Sequence, residues 1–579
     1  MLTPPGSGSA LILLLISALG ALLRVITPVM REGWRLSHLP GPRRDNLMSG
    51  QGDYMRRVAS RGRDTIVFDV WLQWAQLYGP VFKYRHYHRY VVPVVYGARH
   101  IKSVLHDVAN KREVLGGSLK FYQGERVLGD SGILVTSYCE SWRIKKSILR
   151  QFLNPEKVAV QETAIVSVID RSLSNASKGI YKWISSNKDK EQSGFEVVDL
   201  LNLLQTITSD IMGLSLFGVD FACSLQENTE FSEIARITTR IAKECFAAVA
   251  DPARRFDLRR TAEREETIRN IQKLRKIARN IIERGSPLTN EFLKAFSDIE
   301  NTIDDVSSLL FAGQDTTSNT LTYALAHIAH CRRMQEWLRE EISQISNTAQ
   351  WGAIDKLPRL DAVINETLRL YPSAPTSMRT LHRDRDIWGH IVPGGTRVWL
   401  SPYTSARHCG VWDRAGLFLP HRFLDLREEQ REELFPFMAG PHRCSGRHLA
   451  VMEMKLIIFH VMRRYSLKLQ DDRIPYPRMA ITLHPSSKIR EKGRRQAGYR
   501  LDTGWIQAGD KQETCRRQAG DRQETSRRQA RDRLDTGRRQ AGDMQETGWR
   551  QAGDKQDRLD KDLTSIMNKV VRNSNFTLA

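Results

Sequence analysis

The chain has 579 residues, 41% of them hydrophobic, with 88 Lys and Arg against 66 Asp and Glu and a formal net charge of +22. That length and apolar content exclude a wholly disordered chain and a small disulfide-stapled scaffold, and they allow one large core with additions at its ends. The seven cysteines, Cys139, Cys223, Cys245, Cys331, Cys409, Cys444 and Cys515, are odd in number and form no CxxC pair. Neither a disulfide framework nor a zinc site is indicated, and a reducing, cytosol-facing compartment fits.

The repetitive C-terminal tail carries nearly balanced charge, so most of the positive excess lies elsewhere. It suits a basic face for an acidic partner or an anionic membrane surface. No nucleic-acid-binding motif accompanies it, and no nucleic-acid partner is expected.

Ala10 to Leu23 is almost purely apolar, and Arg24 ends the run. It is slightly short of the roughly 20 residues a full span needs. No A-x-A cleavage site with a polar start follows it, which favours a signal anchor over a cleaved signal peptide. No charge precedes the run, whereas Arg24, Arg31, Arg35, Arg43 and Arg44 follow it. The short N-terminus is therefore expected on the lumenal side and the bulk of the chain in the cytosol. Leu39-Pro40-Gly41-Pro42 then makes a stiff hinge that cannot continue a helix.

Val70 to Tyr78 carries a helical apolar stripe, stopped by Gly79-Pro80. Val81–Tyr84 and Tyr90–Tyr96 read as short strands. Trp142 and Lys146 stand four apart on one face of a basic helix. Residues 160–290 show amphipathic helical patterns without a sharp motif. Phe217, Phe231 and Phe246 there read as core packing.

Ile303 to Ala329 reads as one long helix with an odd middle, Ala312-Gly313-Gln314-Asp315-Thr316-Thr317-Ser318. Gly and several Thr inside a helix cost stability, and a broken local rule marks a functional site. Small residues make room at Ala312 and Gly313, and Asp315 and Thr316 can hold and pass protons. Glu366 and Arg369 meet on one helix face ahead of Pro372, and Pro420-His421-Arg422-Phe423 follows later. Val392 to Leu400 reads as a hairpin turn entering a strand.

Phe437-Met438-Ala439-Gly440-Pro441-His442-Arg443-Cys444-Ser445-Gly446 runs straight into an apolar helical pattern, Arg447 to Tyr465. A thiolate beside the positive end of a helix is favoured, and it is a strong anionic ligand for heme iron. The glycines allow a sharp turn and close backbone approach to a flat macrocycle. Beyond residue 490 the chain changes character. Gln-Ala-Gly or Gln-Ala-Arg recurs every 11 residues from Gln496 to Gln551, with almost no apolar seam. Such a repeat cannot offset the entropy of ordering and reads as disordered.

In order and spacing these segments resemble the cytochrome P450 family from about residue 35 to 488. The resemblance implies a mainly α fold with a smaller β-sheet portion. An N-terminal membrane anchor would occupy residues 1–34, a catalytic domain residues 35–490 and the repeat tail residues 491–579. It implies heme b, with Cys444 as the iron ligand and Phe437 and Gly446 shaping the loop. Ala312 and Gly313 would line the oxygen side, and Asp315 and Thr316 would manage protons. Trp142, Lys146, Arg379 and His442 would contact heme propionates, with Lys146 standing where the family uses arginine. Glu366, Arg369 and Arg422 would form a structural lock.

The implied reaction is monooxygenation of a lipophilic substrate, of fatty acid, sterol or xenobiotic class. Electrons would come from NADPH through NADPH-cytochrome P450 reductase, with cytochrome b5 as a further partner, at the endoplasmic reticulum membrane. Isomerases and dehydratases of this fold commonly lack the acid–alcohol pair, which this chain keeps at Asp315 and Thr316.

Overall fold

The computed structural model describes residues 27–42, 51, 66–86, 89–113, 120–177, 199–225, 231–250, 261–346, 350–469 and 473–486. The apolar run Ala10–Leu23, Cys515 and the repeat tail 491–579 lie outside the described residues.

Helices dominate. The principal ones are α1 (Val67–Tyr78), α2 (Ala98–His106), α3 (Glu140–Leu153), α4 (Leu200–Met212), α5 (Ile234–Ala250), α6 (Ala262–Glu283), α7 (Ile299–His330), α8 (Pro358–Leu370) and α9 (Arg447–Arg464). The principal strands are short: β1 (Tyr84–His86), β2 (Arg89–Val94), β3 (Lys111–Glu113), β4 (Ser377–Thr380), β5 (Arg385–Ile387), β6 (His390–Val392), β7 (Arg397–Leu400), β8 (Pro477–Met479) and β9 (Leu483–Pro485).

One five-stranded sheet has the order β1-β2-β7-β4-β3. Its β2–β7 pair is parallel and the other pairs are antiparallel. The sheet covers a cluster of Val92, Val94, Ile101, Leu105, Val398 and Leu400. Residues 27–35 are helical and dock here. Tyr90 N donates to Glu32, Arg35 donates to the Gly394 carbonyl, and Leu36 and Leu39 are buried.

The hairpin expected from Val392 onward is displaced. β5 and β6 pair with each other around Trp388-Gly389, and β7 pairs instead with β2 and β4. Pro393-Gly394-Gly395 does turn the chain, but the partner of the strand after it comes from far away in sequence.

The helical core centres on α7. Asp298 caps its first turn by accepting from Glu300 N. From Thr302 to Ala326 nearly every residue is buried, because α4, α5, α6, α8 and α9 all pack against it. Thr and Ser in its middle are accommodated by back-bonding: Thr316, Ser318, Thr320 and Thr322 donate to the carbonyls of Ala312, Gln314, Thr316 and Ser318. Phe217 and Phe231 are buried core residues, and Phe246 is partly buried against the same core cluster.

Among the described residues, one stretch, Leu200–Phe217, is long and apolar enough to cross a membrane, and it is 61% buried in this core.

Candidate functional site

The loop ahead of α9 is shaped by its backbone. Cys444 N donates to the Phe437 carbonyl at 3.0 Å and Arg443 N to that of Gly440 at 3.1 Å. Gly440 has a φ of +72°, and a Cβ there would stand 2.3 Å from the carbonyl oxygen of Leu105. The loop can press onto α2 at this point because no side chain intervenes.

Cys444 is accessible to solvent, yet enough protein surrounds the sulfur for burial to push its thiol above the usual range. Both hold if the side chain lines an interior concavity rather than the outer surface. A backbone N–H of Gly446 and the cations Lys146 and Arg447 act the other way and favour the anion.

Lys146, on α3, reaches this loop directly. Its Nζ donates to the Arg443 carbonyl at 2.5 Å, one residue before the cysteine. Trp142, one turn earlier, is buried, with its ring centroid 4.3 Å from that of His442. Three of the side chains singled out in the sequence, Trp142, Lys146 and His442, are thus brought together around the cysteine loop.

Arg379 on β4 is buried. It donates to Ser377 Oγ and the Met378 carbonyl, each at 2.8 Å. Among the described residues no carboxylate pairs with it, and desolvation alone pulls its guanidinium down to about 10. A buried cation without a counter-ion is costly and suits a site that receives an anionic group.

Within Thr302–Ala326 of α7, Ala312, Gly313 and Thr316 are the residues that are not buried. They fall at i, i+1 and i+4, on one side of the helix, which is thus its most accessible side within the core. Gly313 also admits a neighbour: a Cβ there would lie 2.7 Å from the sulfur of Met212 on α4.

Asp315 points elsewhere. It is 4% exposed, and its Oδ2 accepts from Thr482 Oγ1 at 2.5 Å. α7 packs beside α9, where Glu453 is buried. Burial drives that carboxyl well above the usual range, with Thr317 acting the other way.

Glu366 and Arg369 form a fully buried pair. Arg369 Nε and Nη2 reach the two carboxylate oxygens at 2.6 and 2.9 Å. Arg369 also donates to the carbonyls of Ala406, Ala415 and Leu417. Arg422 Nε adds a bond to Glu366 Oε1 at 3.2 Å, and Leu419 N another at 2.6 Å. The cluster clamps the segment 406–422 that leads into the cysteine loop.

Reading the sequence alone missed Thr482, His484 and Ser373 beside Asp315 and Thr316, and Glu453 beneath them. A Thr-x-His alternation, which sends both side chains to one face of a strand, was the available signal for the first two.

The family model for Cytochrome P450 matches residues 57–489. Curated relatives include the mitochondrial sterol 26-hydroxylase of Mus musculus, 35% identical over 35% of this chain and 39% of that protein. Cytochrome P450 3A6 of Oryctolagus cuniculus is 35% identical over 31% of this chain and 37% of its own length. Cytochrome P450 714C2 of Oryza sativa subsp. japonica is 24% identical, over 73% of this chain and 82% of its own length. The chain thus spans less than two-fifths of the first two at this similarity, and most of the third.

Proposed function

The chain belongs to the cytochrome P450 family, and from that premise we propose that it is a heme-thiolate monooxygenase inserting one oxygen atom of O2 into a lipophilic substrate. The carrying observation is the Cys444 loop: Cys444 N donates to the Phe437 carbonyl, Lys146 reaches the Arg443 carbonyl beside the sulfur, and Lys146, Arg447 and the Gly446 N–H favour the thiol's anion.

The residues fit heme b. Cys444 would ligate the iron, and a coordinated thiol is deprotonated outright. The buried guanidinium of Arg379, which no carboxylate among the described residues pairs with, would receive one propionate, with Trp142, Lys146 and His442 on the other. Lys146 would divide its donors between a propionate and the Arg443 carbonyl, as an ammonium with three N–H groups can. Phe437 and Gly446 would flank the macrocycle, and Ala312 and Gly313 would leave room on its far side. When bound, the group supplies the activation of O2.

The chain's own part is to hold and move protons. Thr316 would offer its hydroxyl to the oxygen side, and Asp315, one residue before it, would bring protons from the hairpin side of α7. Glu366, Arg369 and Arg422 would keep the loop in register.

Electrons would come from NADPH through NADPH-cytochrome P450 reductase, with cytochrome b5 assisting. Substrates would be of fatty acid, sterol or xenobiotic class, and the sterol hydroxylases among the relatives support the middle one. Residues 1–34 would anchor residues 35–490 to the cytosolic face of the endoplasmic reticulum membrane, followed by a disordered tail, 491–579.

The test is the reduced, CO-bound spectrum. A thiolate-type Soret band is expected, and Cys444→Ala should abolish it. Wild-type protein without bound porphyrin, or with a band unchanged by Cys444→Ala, would overturn the reading. Reconstitution with the reductase against an iron–sulfur ferredoxin system tests the electron source.

A further inference from the structure

The closing hairpin of β8 and β9 sets a polar network against α7 that is separate from the cysteine loop. Thr482 Oγ1 lies 2.5 Å from Asp315 Oδ2 and 2.9 Å from His484 Nε2, and Asn319 Nδ2 lies 3.3 Å from His484 Nδ1. His484 Nε2 is 3.4 Å from Asp315 Oδ2. All four side chains are buried, with His484 7% and Thr482 8% exposed.

One assignment of hydrogens satisfies every contact when Asp315 is ionised. A carboxylate only accepts, so the Thr482 hydroxyl donates to Asp315. The hydroxyl then accepts from His484 Nε2–H, and the bare Nδ1 accepts from the Asn319 amide. Every donor in the chain points toward Asp315. Two orphaned atoms mark its ends: among the described residues neither Asp315 Oδ1 nor Asn319 Oδ1 has a hydrogen-bond partner.

The hairpin is also pinned to the Thr316 turn. Leu483 N donates to the Ser373 carbonyl at 3.0 Å, and Ser373 Oγ donates to the Thr316 carbonyl at 2.7 Å.

We propose that Thr482 and His484 are positioning residues that hold Asp315 and supply it with protons from the hairpin side of α7. This rests on the reading of Asp315 and Thr316 as the proton-handling pair of a monooxygenase. In the step, a solvent proton binds His484 Nδ1, and the Asn319 amide turns its free oxygen to accept that new N–H. The Nε2 proton passes to Thr482 Oγ1, whose own proton passes to Asp315 Oδ2. One proton enters the ring, one reaches the carboxylate, and the hydroxyl ends with the number it began with.

Three influences act on the proton affinity of His484. Burial lowers it, Asp315 on α7 raises it, and Lys243 on α5 lowers it. Protons are therefore supplied best at the acid end of the working range and less as pH rises through the titration of His484.

Full-length wild-type protein and its Asp315→Asn, His484→Gln and Thr482→Val variants test this, with two readouts. The first is histidine C2–H exchange followed by mass spectrometry, which titrates His484 without any turnover. Asp315→Asn should lower its midpoint by removing the anion that favours the imidazolium. The second is product formed per NADPH consumed across pH. Both His484→Gln and Thr482→Val should keep the thiolate-type CO band, lose roughly tenfold in coupling at acid pH and show a flattened pH profile.

A His484 midpoint unmoved by Asp315→Asn, or coupling by both variants that follows the wild-type profile, overturns the proposal. Absence of the CO band in the wild-type protein would instead overturn the monooxygenase reading beneath it.

Discussion

Replacing Glu366 by Gln removes one charge and almost no volume, and the structure sets the expected cost. Glu366 accepts four hydrogen bonds: two from Arg369, one from Leu419 N and one from Arg422. Its side chain and that of Arg369 have no solvent exposure. Gln keeps the shape, but its amide N–H turns a donor toward a guanidinium that has nothing but donors. Arg369 keeps three carbonyl partners and loses its anion. Stranding one member of a buried pair costs about 3–5 kcal/mol.

Arg422 provides the internal control. Its side chain is 10% exposed, and it gives one bond to Glu366 at 3.2 Å and one to the Asp413 carbonyl at 2.9 Å. Arg422→Ala leaves Glu366 paired with Arg369 and should cost about 2 kcal/mol, the value of one charge-assisted hydrogen bond. Urea unfolding of the full chain in detergent, followed by tryptophan fluorescence, measures both. Trp412 is a reporter at the cluster, 5.1 Å from the Arg369 guanidinium. Because the clamp leads into the cysteine loop, the thiolate-type CO band should fall in the same order. Equal or inverted costs for the two variants, or a loss below about 1 kcal/mol for Glu366→Gln, would refute the account of the pair as a buried clamp.

Two further outcomes follow from the same geometry. Gly440→Ala would place a Cβ 2.3 Å from the Leu105 carbonyl at a φ of +72°, whereas Gly389→Ala, at +75°, meets nothing within 4 Å. Pyridine hemochrome assay should show heme content collapsing in the first variant, while the second pays only backbone strain of about 1–2 kcal/mol. Lys145→Met would leave Asp305 buried without the ammonium now 2.7 Å away. Burial already pushes the Asp305 carboxyl up to about 7. An acid whose folded value is raised favours the native state at low pH and loses that contribution as pH rises through the folded value. The variant should therefore be destabilised by about 3–5 kcal/mol at pH 8 and distinctly less at pH 5, read from urea midpoints at the two pH values.

Much of the site was legible because its signals are local. The cysteine loop announces itself through glycines at a sharp turn and a helix directly behind the sulfur. Glu366 and Arg369 meet because residues three apart share a helix face. The Gly and Thr residues inside α7 stand out because they break helix propensity, and back-bonding to preceding carbonyls is how the helix tolerates them. Even there, direction was hidden. Asp315 and Thr316 are neighbours in sequence, but successive helical residues point about 100° apart, so one faces the hairpin and the other the concavity.

What the amino-acid order decided by itself was therefore the helices, the turns and the residue types at short spacing, where backbone geometry and intrinsic preference act within one or two turns. Which strand accepts β7, which carbonyl engages Lys146, which atoms Arg379 donates to, and how Thr482 and His484 come to rest on Asp315 were decided only in three dimensions. Those contacts join segments tens to hundreds of residues apart. Their partners are chosen by the burial of whole helix and sheet faces, a collective quantity that no short window of the chain contains.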